Sequence, residues 1–279
     1  MPELPEVETM RRGILPVVGA TIEAAERPRC AKRPIAFTPG WRTLRRKLEG
    51  RAIAGAGRLG KRVVLALDDG GRLVIEPRMT GLLLLADPPT PDHLRLRLRL
   101  RGRAPEELLF WDRRGLGTVT WFDEAGYAEL TARLGPDALT VERDALRARL
   151  GQRQRPIKVA LLDQALLAGV GNIYAAEVLN RAKVHPERGC HTLGPREWTR
   201  LARVLREVLE EAVRYEGSTL GDGTYRTALN QDGSYQNQHR VYGREGEPCR
   251  SCRKGTVVRI VQAQRATFFC PRCQPPTGA

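Results

Sequence analysis

Four of the six cysteines are paired as Cys249-x2-Cys252 and Cys270-x2-Cys273, with residues 253–269 between the pairs. Each pair places two thiolates near one point across a tight turn, and two such hooks make a tetrahedral four-cysteine zinc site. Two disulfides are the competing chemistry. A reducing cell interior would keep these thiols free, so the spacing predicts zinc. Cys30 and Cys190 are isolated and read as inert thiols, and His239, upstream of the first hook, is not needed as a ligand.

Two further stretches could carry chemistry. If Met1 is removed, Pro2 presents a secondary amine; a free α-amine has a pKa near ~8, so part of it is neutral and nucleophilic at physiological pH. Such an amine attacking a sugar aldehyde carbon gives an iminium ion. Glu3 and Glu6 stand close by in sequence as proton-transfer groups. From the bare residues an ordinary chain start is the simpler reading of Pro2. The second stretch is a basic lead-in, Arg153-Gln154-Arg155-Pro156, with Pro156 suited to a first helical position. An amphipathic helix is predicted over Ile157 to Leu167. Gly169-Val170-Gly171 then turns the chain, and Asn172 is predicted to cap a second helix through Leu179. A capped helix start directs unpaired N–H groups outward and suits phosphate.

These groups need elements to position them. The 279 residues are enough for two domains, and 41% apolar content is too high for a disordered chain. No apolar run approaches the ~20 residues of a membrane span, and the acidic, Pro-interrupted start is no signal peptide. A cytoplasmic protein is therefore expected. The formal charge of +15 points to a polyanion, usually nucleic acid, or to a genome that favours arginine.

Residues 1 to about 135 read as β-rich, with only Glu3 to Leu15 helical. Arg62–Leu67 and Arg72–Ile75 around Asp68-Asp69-Gly70-Gly71 predict a hairpin. Leu94 to Arg101 alternates leucine with arginine. That pattern predicts a strand burying Leu94, Leu96, Leu98 and Leu100, with Arg95, Arg97, Arg99 and Arg101 facing solvent. Strands are also predicted at Leu108–Trp111 and Thr118–Phe122. The C-terminal half reads as helical: Glu142 to Leu150, then Pro195 to about Glu216 with an apolar stripe at Trp198, Leu201, Leu205, Val208 and Ala212. Gly217 to Asn237 reads as a long, functional mobile loop. Two short strands, Thr256–Val261 and Ala266–Phe269, belong to a zinc ribbon. Taken alone, these readings reach a DNA-binding protein with a β-rich domain of unassigned purpose.

The start Pro2-Glu3-Leu4-Pro5-Glu6-Val7-Glu8-Thr9 resembles the signature of formamidopyrimidine-DNA glycosylases. The likeness extends through Gly60-Lys61, Met79-Thr80-Gly81, Gly169-Val170-Gly171-Asn172-Ile173-Tyr174, Gly217-Ser218-Thr219-Leu220, Val241-Tyr242-Gly243-Arg244 and Gln264-Arg265-Ala266-Thr267-Phe268. The blocks follow the family's order over nearly the whole chain. The resemblance implies an α+β multidomain fold. Its expected parts are an N-terminal β-sandwich (1–135), a helix–two-turns–helix domain with a lesion-capping loop (136–238) and a four-cysteine zinc ribbon (239–279), with DNA in the cleft between. It implies a monomer that excises oxidised purines from duplex DNA and then nicks the strand, the damaged nucleotide leaving the stack.

By the same resemblance Pro2 is the nucleophile and Schiff-base former, and Glu3 protonates the sugar, with Glu6 beside it. Lys61 holds lesion phosphates and assists β-elimination, and Arg265 binds phosphate and assists δ-elimination. Asn172 is a phosphate ligand, His93 a DNA contact, and Met79 fills the space of the extruded base. The zinc, one per chain, is structural, since four protein ligands leave no position for water. Arg153 and Arg155 are weaker candidates for DNA contact.

The chain departs from the family pattern at Asp112-Arg113-Arg114-Gly115-Leu116-Gly117, where the family usually reads Asp-x-Arg-Arg-Phe-Gly. Arg114 keeps the arginine that reads the base opposite the lesion, Gly115 replaces a phosphate-binding arginine, and Leu116 replaces the phenylalanine wedge. The middle of the capping loop, Gly221-Asp222-Gly223-Thr224-Tyr225, also differs. Two alternatives follow: the same fold preferring oxidised pyrimidines, or a catalytically silent DNA-binding relative.

Overall fold

The computed structural model describes residues 2–221 and 223–276; expectations resting on Met1 and Asp222 fall outside them. The chain forms two compact units. The first runs to Ala132 and takes in Val213–Gln236; the second holds Arg133–Ala212 and the chain from Asn237 onward.

The first unit opens with helix α1 (Leu4–Gly13), followed by β1 (Thr21–Glu26), β2 (Ala36–Thr38), α2 (Trp41–Leu48), β3 (Ile53–Leu59), β4 (Arg62–Leu67), β5 (Arg72–Glu76), β6 (Gly81–Leu84), β7 (Leu94–Arg101), β8 (Glu107–Asp112), β9 (Thr118–Phe122) and α3 (Glu124–Ala132). A four-stranded sheet is ordered β1-β7-β8-β6 and a five-stranded sheet β2-β9-β5-β4-β3. All pairs are antiparallel except β2 with β9. Alternate apolar residues of both sheets, such as Leu98 of β7 and Val63, Leu65 and Ile75 of β4 and β5, meet in one core with Val7 and Met10 of α1.

The strand and hairpin predictions hold closely, whereas α2 and α3 were not expected. Apolar positions Trp41, Leu44 and Leu48, spaced three and four apart, give α2 its buried face. The arginine face of β7 needs correction at one position. Register shifts between Leu94 and Leu96, so Arg95 is the extra residue of a β-bulge, and its side chain turns inward to 3% exposure. Arg97 and Arg99 do lie at the surface, where Glu26 pairs with both.

The second unit contains α4 (Arg143–Leu150), α5 (Ile157–Leu161), α6 (Asn172–Ala182), α7 (Pro195–Arg214, of which the residues through Ala212 belong to this unit), and the two-stranded hairpin of β10 (Val258–Gln262) and β11 (Arg265–Phe269). The α7 stripe is buried as its period predicts. Helix α5 is shorter than expected, and Pro156 is its N-cap rather than its first residue. Downstream side chains capture backbone groups that a longer helix would need. Asp163 Oδ1 accepts from Ala165 N at 3.0 Å, while Gln164 accepts from Gly169 N at 2.9 Å and donates to the Leu162 and Val170 carbonyls.

Candidate active site

Pro2, Glu3 and Glu6 are all buried at the start of α1. Glu3 is the N-cap, and it forms a capping box with Glu6. Glu6 Oε2 accepts from Glu3 N at 2.8 Å, and Oε1 accepts from Ser218 N at 2.8 Å. One buried carboxylate thus satisfies the helix start and the first residues of the 217–236 segment. Gly217 is at φ +79°, and a Cβ there would lie 2.9 Å from Glu6 Cγ, so both conformation and space require glycine. Tyr225 donates to the Glu216 carbonyl at 2.9 Å; burial, then the Glu6 charge, pushes its phenol well above the ordinary value. Ser218, Thr224, Tyr225 and Thr227 are buried, so the loop is packed onto its unit rather than a loose tether.

Lys61 sits in the two-residue turn between β3 and β4, after Gly60 at φ +56°. Arg58 braces that turn, donating from NH1 to the Gly60 carbonyl at 3.0 Å and from Nε to Glu8 Oε2 at 3.1 Å. Glu8 also takes Arg11 and Arg12. Burial works to raise the Glu8 pKa, but the bonds and charges of Arg11, Arg12 and Arg58 outweigh it and hold it low. Glu8 and Arg58 therefore position the Lys61 turn against the helix that follows Pro2. Glu8 lay in plain view in the acidic start; its role depends on a partner fifty residues away.

Met79 and the 112–117 turn are brought together by Thr80 and Asp112. Thr80 Oγ1 donates to Asp112 Oδ1 and accepts from Arg114 N at 3.0 Å. Asp112, fully buried, also accepts from Gly117 N at 2.8 Å. Arg114 is left exposed, with Leu116 and Met79 half-buried. Gly115 is at φ +61°, and a Cβ on it would lie 2.3 Å from the Arg33 carbonyl oxygen. The loss of an arginine at this position is thus built into the local backbone. His93 closes a 3₁₀ turn before β7 and packs edge-on to Trp111 at 5.4 Å between ring centroids.

In the second unit Lys158, a residue given no role by its sequence position, is fully buried. Its Nζ donates to Asn172 Oδ1 at 2.7 Å, the Ala266 carbonyl at 3.0 Å and Thr267 Oγ1 at 2.6 Å. Asn172 Nδ2 donates to the same Ala266 carbonyl at 3.0 Å. Asn172 is therefore not the cap of α6. Gly171 is the N-cap, and the Asn172 side chain is spent on the ribbon. These bonds seat exposed Arg265, at the start of β11, beside the N-terminus of α6. Arg155 is paired with Asp163 at 2.6 Å, which leaves exposed Arg153 the freer of the two basic residues ahead of α5.

The four hook sulfurs lie within 4.8 Å of one another, and two of the distances are 3.8 and 3.9 Å. A tetrahedron with Zn–S bonds of about 2.3 Å has edges of about 3.8 Å, whereas a disulfide would need about 2.05 Å. The cluster fits one structural zinc. Gln274 joins it to α6, accepting from Cys270 N and from Asn180 Nδ2. Glu177 of α6 accepts from the N–H groups of Arg240, Val241 and Tyr242 at 2.8–3.1 Å; burial raises its pKa against those three donors. His239 is 4% exposed and lies outside the cysteine cluster. Buried Cys190 has its thiol pushed up to about 11 by desolvation, as an inert thiol requires.

A β-sandwich unit, a pair of helices joined by two turns and a four-cysteine ribbon define a zinc-containing DNA glycosylase of the helix–two-turns–helix class. Family models agree part by part. The formamidopyrimidine-DNA glycosylase N-terminal domain matches residues 1–119, the corresponding helix–two-turns–helix domain 134–223, and a zinc finger found in these enzymes and in isoleucyl-tRNA synthetase 246–276. The formamidopyrimidine-DNA glycosylase of Thermomicrobium roseum is 43% identical, over 99% of each chain, and that of Thermus thermophilus 44%, over 98% of each. The crystal structure of the Thermus thermophilus protein superposes with a TM-score of 0.84 at 43% identity, covering 98% of both chains. That of the Lactococcus lactis enzyme with abasic-site DNA gives 0.86 at 33% identity, covering 98% of this chain and all of that one. The chain belongs to the formamidopyrimidine-DNA glycosylase family.

Proposed function

We propose that this enzyme removes oxidised purines, 8-oxoguanine and formamidopyrimidines, from duplex DNA and then cuts the strand by β,δ-elimination. The carrying observation is the buried Pro2-Glu3 start with Glu6 fixed behind it by two N–H donors. Once Met1 is removed, the Pro2 amine attacks C1′ of the extruded nucleotide. The N–C1′ bond forms as the glycosidic bond breaks, and the base leaves with a proton. Glu3 donates a proton to the sugar ring oxygen, the ring opens, and an iminium ion results. The iminium acidifies the C2′ proton; its loss expels the 3′-phosphate, and a second elimination expels the 5′-phosphate. Glu6 holds Glu3 and the capping loop in place. Lys61 and Arg265 bind the phosphates that leave, and His93 and the second Nδ2 hydrogen of Asn172, the first being bonded to the Ala266 carbonyl, hold the backbone. Met79 and Leu116 enter the gap left by the flipped base, and Arg114 reads the base opposite the lesion.

The DNA partner follows from the family and from relatives solved with abasic-site and Fapy-dG DNA. No helix among the described residues is long and apolar enough to cross a membrane, and action as a monomer on cytoplasmic, nucleoid DNA is part of the proposal. The division into modules 1–135, 136–238 and 239–279 is likewise proposed as the functional one. Leucine in place of the phenylalanine wedge gives weight to a second reading, broad acceptance of oxidised pyrimidines; Lactococcus lactis Fpg has itself been solved with an oxidised pyrimidine in DNA. Excision rates on duplexes carrying 8-oxoguanine, Fapy-guanine or an oxidised pyrimidine, each opposite all four bases, decide between them. Faster excision of the purines supports the first reading, and faster excision of the pyrimidine overturns it.

A further inference from the structure

Cys30 lies outside all the machinery described so far, yet its surroundings are specific. Its thiol donates to the Asp92 carbonyl at 2.9 Å, and Arg95 NH1 points at its sulfur from 2.7 Å. Arg95 is the bulge residue turned into the protein, 3% exposed, and its NH2 has no hydrogen-bond partner among the described residues. Cys30 and Arg95 line a cavity of about 30 Å³ whose remaining walls include Pro34, Ile35 and Phe37. That volume has room for a water-sized group. A buried guanidinium nitrogen without a partner is costly, and here it belongs to a side chain that lines a small cavity shared with a half-buried thiol.

We propose that Cys30 is a site of reversible oxidation by small hydroperoxides, its sulfenate oxygen being held by Arg95 NH2. The sulfur lone pair attacks one peroxide oxygen, the S–O bond forms, and the O–O bond breaks. The departing hydroxide or alkoxide takes the thiol proton and leaves as water or alcohol, and the sulfenic acid gives up its remaining proton to solvent as the sulfenate. Sulfur is oxidised by two electrons and the peroxide reduced by two. A charge-assisted bond from the guanidinium then satisfies the nitrogen that now has none. The cavity has room for the single added oxygen.

The site is wired to the 112–117 turn. Arg95 Nε donates to the Asp112 carbonyl at 2.9 Å, and the Arg33 carbonyl, three residues from Cys30, abuts Gly115. A sulfenate therefore fixes Arg95 more firmly and stiffens the turn that bears Arg114 and Leu116. The consequence for catalysis rests on the roles proposed for those two residues; the oxidation does not.

The test treats the zinc-loaded protein with hydrogen peroxide and follows each cysteine-containing peptide by mass spectrometry, with a dithiothreitol arm. Cys30 is expected to gain one oxygen, reversibly, at least about tenfold faster than buried Cys190. Arg95→Lys should slow that gain, and should this variant fail to fold, the comparison with Cys190 in the wild type stands alone. Hydrogen exchange of the peptide spanning 110–117 should slow on oxidation in the wild type and not in Cys30→Ala. Cys30 oxidising no faster than Cys190 overturns the proposal, and unchanged or faster exchange overturns its link to the turn. Neither readout depends on which lesion is excised, so failure here is distinct from failure of the proposed function.

Discussion

The Thr80 hydroxyl donates to the Asp112 carboxylate and at the same time accepts the Arg114 amide, so two surface turns are tied to each other. One turn carries Met79 and the other Arg114 and Leu116, the side chains proposed to fill the space of the flipped base or, for Arg114, to read the base opposite it. Thr80→Val keeps the shape and removes the link, leaving a buried carboxylate oxygen and an amide with one partner fewer. The expected loss is about 1–2 kcal/mol of stability by urea unfolding. Discrimination between bases opposite the lesion should fall with it, since the Arg114 amide keeps only its longer bond to Asp112 Oδ1 at 3.2 Å. Unaltered discrimination in a folded variant would detach the two turns.

Gly115→Arg would restore the residue type usual in the family, and is expected to harm the protein. The position needs φ +61°, and any Cβ collides with the Arg33 carbonyl. Strain of this kind costs on the order of 1–3 kcal/mol. Unfolding should shift to lower denaturant with no gain in affinity for damaged duplex. A tighter-binding variant of unchanged stability would show that the backbone here adapts freely.

His239 should remain neutral well into the acid range. Burial, then the nearby Arg250 charge, depresses its pKa from 6.5 to about 4. The folded value lies below the unfolded one, so the stability from the neutral ring is complete above about pH 6.5 and is lost as pH falls toward 4. The whole loss is roughly 3 kcal/mol. Imidazole shifts followed by NMR between pH 7 and 5 should be flat for this residue; titration near 6.5 would contradict its burial.

Much of this was legible in the sequence. The leucines of β7, the β4–β5 hairpin, the α7 stripe and the cysteine hooks each announce themselves through period or spacing. What was hidden depends on a second strand or a distant residue. Arg95 reads as solvent-facing because its bulge exists only in the pairing of β7 with β8. Asn172 reads as a cap because nothing local reveals Lys158 and the Ala266 carbonyl as its partners. The bond of Glu6 to Ser218 spans 212 positions of sequence, so the anchoring of the 217–236 loop could not be foreseen. The α2 spacing was present and lay in a segment read as β-rich.

The ribbon should stand or fall with its metal. Elemental analysis should give one zinc per chain. Cys270→Ser removes a buried ligand, and DNA affinity should drop because β11, which carries Arg265, is positioned from that cluster and from Lys158. Unchanged affinity with the zinc lost would remove the ribbon from DNA binding.

The central claim is that the Pro2 nitrogen bonds to the sugar of a damaged nucleotide. Borohydride reduction during reaction with 8-oxoguanine duplex, using protein verified by mass to begin at Pro2, captures that iminium as a stable adduct. The account predicts a covalent protein–DNA band that maps to Pro2 and is far weaker in Pro2→Gly. No adduct with any oxidised base, in protein lacking Met1, would contradict it.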